Sequence, residues 1–182
     1  MAYSSINNVG FALIGLAAGT PAGVAATMSY MAIYVVMTIG AFACILQMRD
    51  ADGRPVESIA SLAGLSQSRK GLAAAFAIFM FSMAGIPPLF GFWAKFLVFD
   101  AAVAADLTAL AAFGIAASVI GAFYYLKIIK TIYFDEPAAA YEAKGGMVEN
   151  VILTACAVVI VFGYLLNPAL DAVSAAAAAS LF

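Results

Sequence analysis

Two adjacent prolines, Pro87 and Pro88, stand inside an apolar run that reaches from Gly71 almost unbroken to Asp100. Proline has no backbone N–H, and its ring collides with the carbonyl four residues back. The carbonyls of Met83 and Ala84 therefore lose their helical partners, and Ile86, ahead of a proline, is pushed out of the α region. In hydrocarbon an unpaired carbonyl costs several kcal/mol, so such a break survives only where protein or trapped water satisfies it. Gly85 opens the break, Lys95 lies seven residues past Pro88, about two turns on and on nearly the same face, and Gly91, four residues before Lys95, leaves room on that face for water or a partner side chain. A broken helix with a lysine just beyond the break is the most functional-looking pattern in the chain.

The run is one of several. Of the 182 residues, 66% are hydrophobic and 10% charged, with a mean hydropathy of +1.06. That composition predicts an all-α, polytopic membrane protein embedded in a lipid bilayer. There is no histidine, and both cysteines, Cys44 and Cys156, sit in apolar runs. With no histidine and no cysteine cluster, histidine-ligated haem, iron–sulfur and Cys/His zinc sites are not expected. No Walker loop and no GxGxxG occurs. No cofactor, metal or nucleic-acid partner is expected on this chain.

Five membrane helices in one domain, residues 1–182, are predicted: 3–18, 24–48, a broken 72–103, 107–133 and 147–166, with a surface tail at 167–182. The first, at ~1.5 Å per residue, is ~24 Å long against a ~30 Å hydrocarbon core, and reads as a span whose start has been cut off. Ser4, Ser5 and Asn8 share one of its faces. In the second, Thr27, Tyr30, Tyr34 and Thr38 form a stripe, too deep for an interfacial belt. For both polar faces two readings are open: hydrogen bonds to neighbouring helices and backbone, or a polar, water-lined wall formed by Ser5, Asn8, Tyr30, Tyr34 and Thr38, which would line a proton path if the resemblance given below holds. Gly114, Ser118, Gly121 and Ala122 give the fourth helix small residues for close contact. A turn at 19–23, a polar loop at 49–70 with an interfacial helix over 56–65, and a loop at 135–146 connect the spans.

Five spans put the 49–70 and 135–146 loops on one side. Arg49, Arg54, Arg69 and Lys70, with Lys127, Lys130 and Lys144, make seven of the eight basic residues on that face, which is expected to be cytoplasmic. The eighth is Lys95. It either snorkels to the far surface, if the span ends at Asp100, or lies near mid-bilayer, if the span runs to Asp106. The charge distribution favours a functional lysine, since the chain otherwise keeps basic residues off that face. A charged lysine at mid-depth costs ~3 kcal/mol on insertion scales.

Ala2-Tyr3-Ser4-Ser5-Ile6 with Gly10, the tyrosine-bearing second helix, and Gly85-Ile86-Pro87-Pro88 with Gly91-Phe92 and Lys95-Phe96 resemble the antiporter-like membrane subunits of respiratory complex I. The resemblance covers the whole chain. It implies one five-helix unit of a larger antiporter-like bundle, in the bacterial cytoplasmic (inner) membrane, among other complex I membrane subunits. It further implies proton translocation coupled to quinone reduction elsewhere, with NADH, FMN, iron–sulfur clusters and quinone on partner subunits. The lysine matching Lys95 would be the proton relay, and some sister subunits carry glutamate there. Asn8 stands where relatives often have histidine and cannot titrate, which argues against a relay role at that position. Two other functions remain open: a cation/proton antiporter subunit without a redox partner, and a purely structural subunit whose break shapes a packing surface.

Overall fold

The computed structural model describes residues 2–49, 58–137 and 146–182. Arg54, the first residues of the expected interfacial helix and Lys144 lie outside them. Among the described residues every regular element is helical: α1 (Ala2–Ala17), α2 (Pro21–Leu46), a 3-10 turn (Ala60–Leu62), α3 (Leu65–Ser68), α4 (Lys70–Ala84), α5 (Phe90–Ala104), α6 (Thr108–Phe134), α7 (Met147–Phe162), a 3-10 turn (Gly163–Leu166) and α8 (Asn167–Ala179). Three segments are long and apolar enough to cross a membrane: α2, α6, and the run Met147–Ala179. The predicted broken span is found as the pair α4 and α5, and α1 is a shorter apolar helix.

α2 is the axis of the bundle and packs against α1, α4, α5, α7 and α8. Thr20 caps it, accepting from the Gly23 amide at 3.1 Å, with Pro21 in the first turn, where its missing N–H costs nothing. Phe11, Tyr30, Ile33, Met37, Phe79, Met80 and Val98 build the buried centre between α1, α2, α4 and α5. α6 closes the opposite side against α1, α4 and α5. Its glycines behave as the pattern predicts: a methyl on Gly114 would press on Ile14 and Phe99, and one on Gly121 on Asn7.

The two polar loops meet at one end of the bundle. Gly64, at φ +74°, is so close to Pro137 that an added Cβ would lie 2.6 Å from its Cα. At the same end lie the C-terminus of α2 and the N-termini of α4 and α7. Within the expected interfacial helix the structure instead has the 3-10 turn Ala60–Leu62 and a left-handed Gly64, a residue that favours turns over helix continuation.

Residues 167–182 differ from the expected surface tail. α8 docks along α2, antiparallel to it, with a buried bond from Ser29 Oγ to Ser174 Oγ at 3.0 Å. Asn167-Pro168 does not end the helical path, because Pro168 falls in the first turn of α8, where no helical N–H is needed.

Candidate functional site

The break is built by a reversal of the chain at Gly85, which takes φ +83°. A residue with a Cβ pays steric strain in that left-handed region, and glycine does not. Two amides then fold back over the end of α4: Gly85 N–H donates to Ser82 O at 3.0 Å and Ile86 N–H to Phe81 O at 3.1 Å. This is the Schellman arrangement, which satisfies the two carbonyls it reaches and leaves the last two bare. The bare pair are Met83 and Ala84, the carbonyls that the prolines were predicted to orphan. Pro87 and Pro88, joined by a cis peptide bond, occupy the connection to α5.

Lys95 supplies what is missing. Its Nζ donates to Met83 O at 2.9 Å, to Ala84 O at 3.3 Å and to Ser118 Oγ of α6 at 2.8 Å. The ring of Phe11 lies 4.8 Å away, close enough for a cation–π contact. Helical side chains lean toward their own N-terminus, so Lys95 on α5 points back to the break and away from the Asp106 end. The residue is 6% exposed, and its ammonium does not snorkel to the far surface. Asp100 borders the same cleft between α5 and α6, of about 550 Å³, yet no described carboxylate pairs with Lys95. At the end of α6, by contrast, the exposed Lys130 pairs with Asp135, just past the helix, at 2.6 Å, a hydrogen bond that lowers the Asp135 carboxyl from its ordinary value.

Gly91 has a different role from the one its spacing suggests. It does not clear space for Lys95. It brings the start of α5 against Ser82, where its amide donates to Ser82 Oγ at 3.0 Å, and Ser82 in turn donates to Met37 Sδ at 3.0 Å. A Cβ on Gly91 would collide with the Ser82 carbonyl. Ser82 thus caps α5 from the neighbouring half-helix, since Leu89 at the cap position has no side chain able to do so.

A second polar centre lies beside this one. Tyr30 OH donates to Asn8 Oδ1 at 2.8 Å, Asn8 Nδ2 donates to Tyr125 OH at 3.0 Å and to Ser4 O at 2.8 Å, and Ser4 Oγ bonds Tyr125 OH at 2.6 Å. Asn8 is fully buried and lies one helical turn from Phe11, the residue that roofs Lys95. Tyr34 stacks on Tyr30 with ring centroids 6.4 Å apart. Of the residues proposed from sequence, Asn8, Tyr30 and Tyr34 come together here. Ser5 is only half-buried on α1, and Thr38 Oγ1 is buried without a hydrogen-bond partner.

Among the participants that escaped the sequence reading as site residues are Phe11, Ser82, Ser4, Ser118 and Tyr125. Ser4 had a signal, its i, i+4 spacing to Asn8. Ser118 and Tyr125 are seven residues apart on one face of α6, but a serine among small residues and a tyrosine near a helix end both look like ordinary packing.

A protein-family model described as NADH:quinone oxidoreductase/Mrp antiporter, TM, matches residues 1–121. The chain belongs to this family. Among relatives, NADH-quinone oxidoreductase subunit N of Rhizorhabdus wittichii is 67% identical over 184 residues, covering all of this chain and 38% of that protein. The protein of the same name from Sphingopyxis alaskensis is 59% identical over 184 residues, covering all of this chain and 39% of that protein. The chain thus spans under two-fifths of the length of these relatives. A chain in the structure of respiratory complex I from Thermus thermophilus with bound aureothin matches with a TM-score of 0.80 at 28% identity, over 93% of this chain and 38% of that one. A chain of the Mrp complex from Dietzia sp. has the same fold, with a TM-score of 0.83 at 24% identity, over 99% of this chain and 42% of that one. The resemblance read from the opening motif and the broken helix is borne out, and the family's membrane-spanning character agrees with the apolar helices found.

Proposed function

We propose that this chain is part of a proton-translocating, redox-inactive membrane subunit of NADH:quinone oxidoreductase, with Lys95 as a proton relay. The relatives' names support the assignment to that complex, and the observation that carries the mechanism is the bonding of Lys95. Three neutral oxygens surround its ammonium, and no described carboxylate balances its charge. A lysine so placed can release its proton and take it back without breaking an ion pair, and the amine it leaves is neutral and tolerable in hydrocarbon. Electron transfer, with NADH, FMN, iron–sulfur clusters and quinone, belongs in this reading to partner subunits, and the energy reaches this chain through neighbouring membrane subunits.

In the same reading the chain is a single membrane domain crossing the bacterial inner membrane five times: α1, α2, α4 with α5 as one broken span, α6, and α7 continued by α8. The 49–70 and 135–146 loops face the cytoplasm, in line with the basic residues concentrated there. The Asn8 cluster and Tyr34, with Ser5 and Thr38 at its margins, line the polar route beside Lys95. Asn8 itself has no titratable proton, so any transfer past it runs through the Tyr30 and Tyr125 hydroxyls or through water.

Substitution of Lys95 in the assembled complex tests this. Lys95→Ala should lower proton pumping in reconstituted vesicles by about a hundredfold or more, the scale of one positioned proton-transfer group, while native gels show normal assembly. Lys95→Arg should fail as well, because a guanidinium with a pKa above ~12 stays charged. Wild-type pumping in Lys95→Arg would make the residue a structural anchor for the break.

A further inference from the structure

At the end of the bundle that carries the polar loops, a cavity of about 620 Å³ opens between the end of α2, the start of α4 and the start of α7. Its mouth is polar, formed by Gln47, Arg69 and Asn150, and its wall descends along Ile78, Val161 and Phe162. At ~1.5 Å per helical residue, the step from Asn150 to Phe162 is ~18 Å, over half the thickness of a leaflet pair's hydrocarbon. The shape is a polar mouth above a long apolar groove.

The mouth holds polar groups that the protein leaves unused. Gln47 is 3% exposed, yet neither its Oε1 nor its Nε2 has a hydrogen-bond partner, and Arg69 Nη1 is buried and equally unpartnered. A buried amide or guanidinium group without partners costs ~1–3 kcal/mol, so these three atoms of residues lining one cavity gain by turning toward an occupant. The hydroxyl of Thr154 on the same wall is already spent on Asn150 O at 2.8 Å. Arg69 is the only charged residue lining the cavity among the described residues.

We propose that this cavity binds one anionic glycerophospholipid of the phosphatidylglycerol class. Its phosphate sits on Arg69 Nη1 and Gln47 Nε2, its headgroup hydroxyl donates to Gln47 Oε1, and one acyl chain follows Ile78, Val161 and Phe162. Each unpaired atom selects part of this ligand. The guanidinium takes a phosphate, for which arginine has the matching planar donors. The free amide oxygen requires a donor, which a choline headgroup lacks, and an ethanolamine ammonium would face Arg69. The apolar wall distinguishes a lipid from a free anion, and basic pockets between membrane helices are suited to anionic headgroups.

The test is native mass spectrometry of the membrane assembly containing this chain, exchanged into phosphatidylglycerol or phosphatidylcholine and then progressively delipidated. The wild type should retain one phosphatidylglycerol per copy and no phosphatidylcholine. Arg69→Gln and Gln47→Leu should each weaken retention about tenfold, the effect of one lost hydrogen bond at a charged or buried partner. Arg69→Lys should keep most of it. Ala157→Leu, which narrows the apolar wall, should also lower retention, and serves if an Arg69 variant fails to assemble. Lys95→Ala should retain the lipid normally, which separates this site from the proton relay. Unchanged retention in both Arg69→Gln and Gln47→Leu would overturn the proposal. So would displacement of the lipid by millimolar inorganic phosphate, which would mark a free-anion site, or a wild type that retains no lipid because a protein segment fills the groove.

Discussion

Among the described residues two interrupted helices touch, and only one of them holds a cation. The first break, between α4 and α5, reverses the backbone at Gly85 and exposes two carbonyls. The second, between α7 and α8, passes through the 3-10 turn Gly163–Leu166 with Gly163 at φ −58°, and the chain stays right-handed throughout. Both contain proline, but Pro168 sits where a helix needs no N–H, whereas Pro87 and Pro88 remove amides that α4 would use. The two meet directly: the Tyr164 ring lies 6.1 Å from Phe90 and 6.2 Å from Trp93, and its hydroxyl donates to Leu89 O at 3.4 Å. Proline therefore does not make a site by itself. A left-handed cap, carbonyls left bare by it, and a lysine leaning back toward them do.

Removing the first break should have the largest effect. Pro87→Ala with Pro88→Ala restores amides able to reach the Met83 and Ala84 carbonyls and so strips Lys95 of two of its three acceptors. Vesicle pumping should fall to the level of Lys95→Ala, while Pro168→Ala should pump normally and shift stability by no more than ~0.5 kcal/mol. Normal pumping by the double alanine variant would erase the distinction between the breaks. Glycine substitutions sharpen it. Gly85→Ala costs ~1–2 kcal/mol at a left-handed residue, and its methyl would lie 3.0 Å from Lys95 Cδ, so pumping per assembled complex should drop along with thermal stability. Gly163→Ala pushes a methyl into the Phe90 ring, an overpacking cost of ~1–3 kcal/mol, yet pumping per assembled complex should persist.

Smaller effects follow at the partners. Ser118→Ala deletes one acceptor of a charged donor, worth ~1.5–3 kcal/mol, and should reduce pumping several-fold, with Ser118→Thr restoring most of it. Tyr164→Phe removes only the long 3.4 Å bond between the breaks. It should leave pumping intact and change stability by less than ~0.5 kcal/mol, the low end for a hydrogen bond, as measured by thermal unfolding of the complex.

The broken helix could be read from the sequence to within two residues, because proline chemistry is local: it names the carbonyls that go unpaired before any tertiary contact is known. The lysine was legible for a related reason, being the one basic residue out of place. What finds its ammonium was not. Ser118 comes from a helix twenty-three residues away, and Phe11 from the start of the chain. Gly91 was assigned to the right neighbourhood and the wrong neighbour, since spacing places it on the lysine's face while packing turns it to Ser82. α8 was missed because Asn167-Pro168 reads as a stop signal, and only its docking on α2 through Ser174 reveals it as a start.

The bonding of Lys95 has a mechanical side. An ammonium has three N–H groups, and here three acceptors receive them: two from the end of one half-helix and one from α6. A neutral amine has two N–H groups and a lone pair, enough to serve the two α4 carbonyls, and the contact with α6 is then kept only if the Ser118 hydroxyl turns round to donate. Two of the three belong to α4 while the lysine itself rides on α5, so the same side chain is the strut across the joint. Charging it braces the two half-helices against each other and against α6. Discharging it turns three charge-assisted bonds into weaker neutral ones and leaves the link to α6 to the Ser118 hydroxyl, so the stiffness of the joint would answer to whether a proton is aboard.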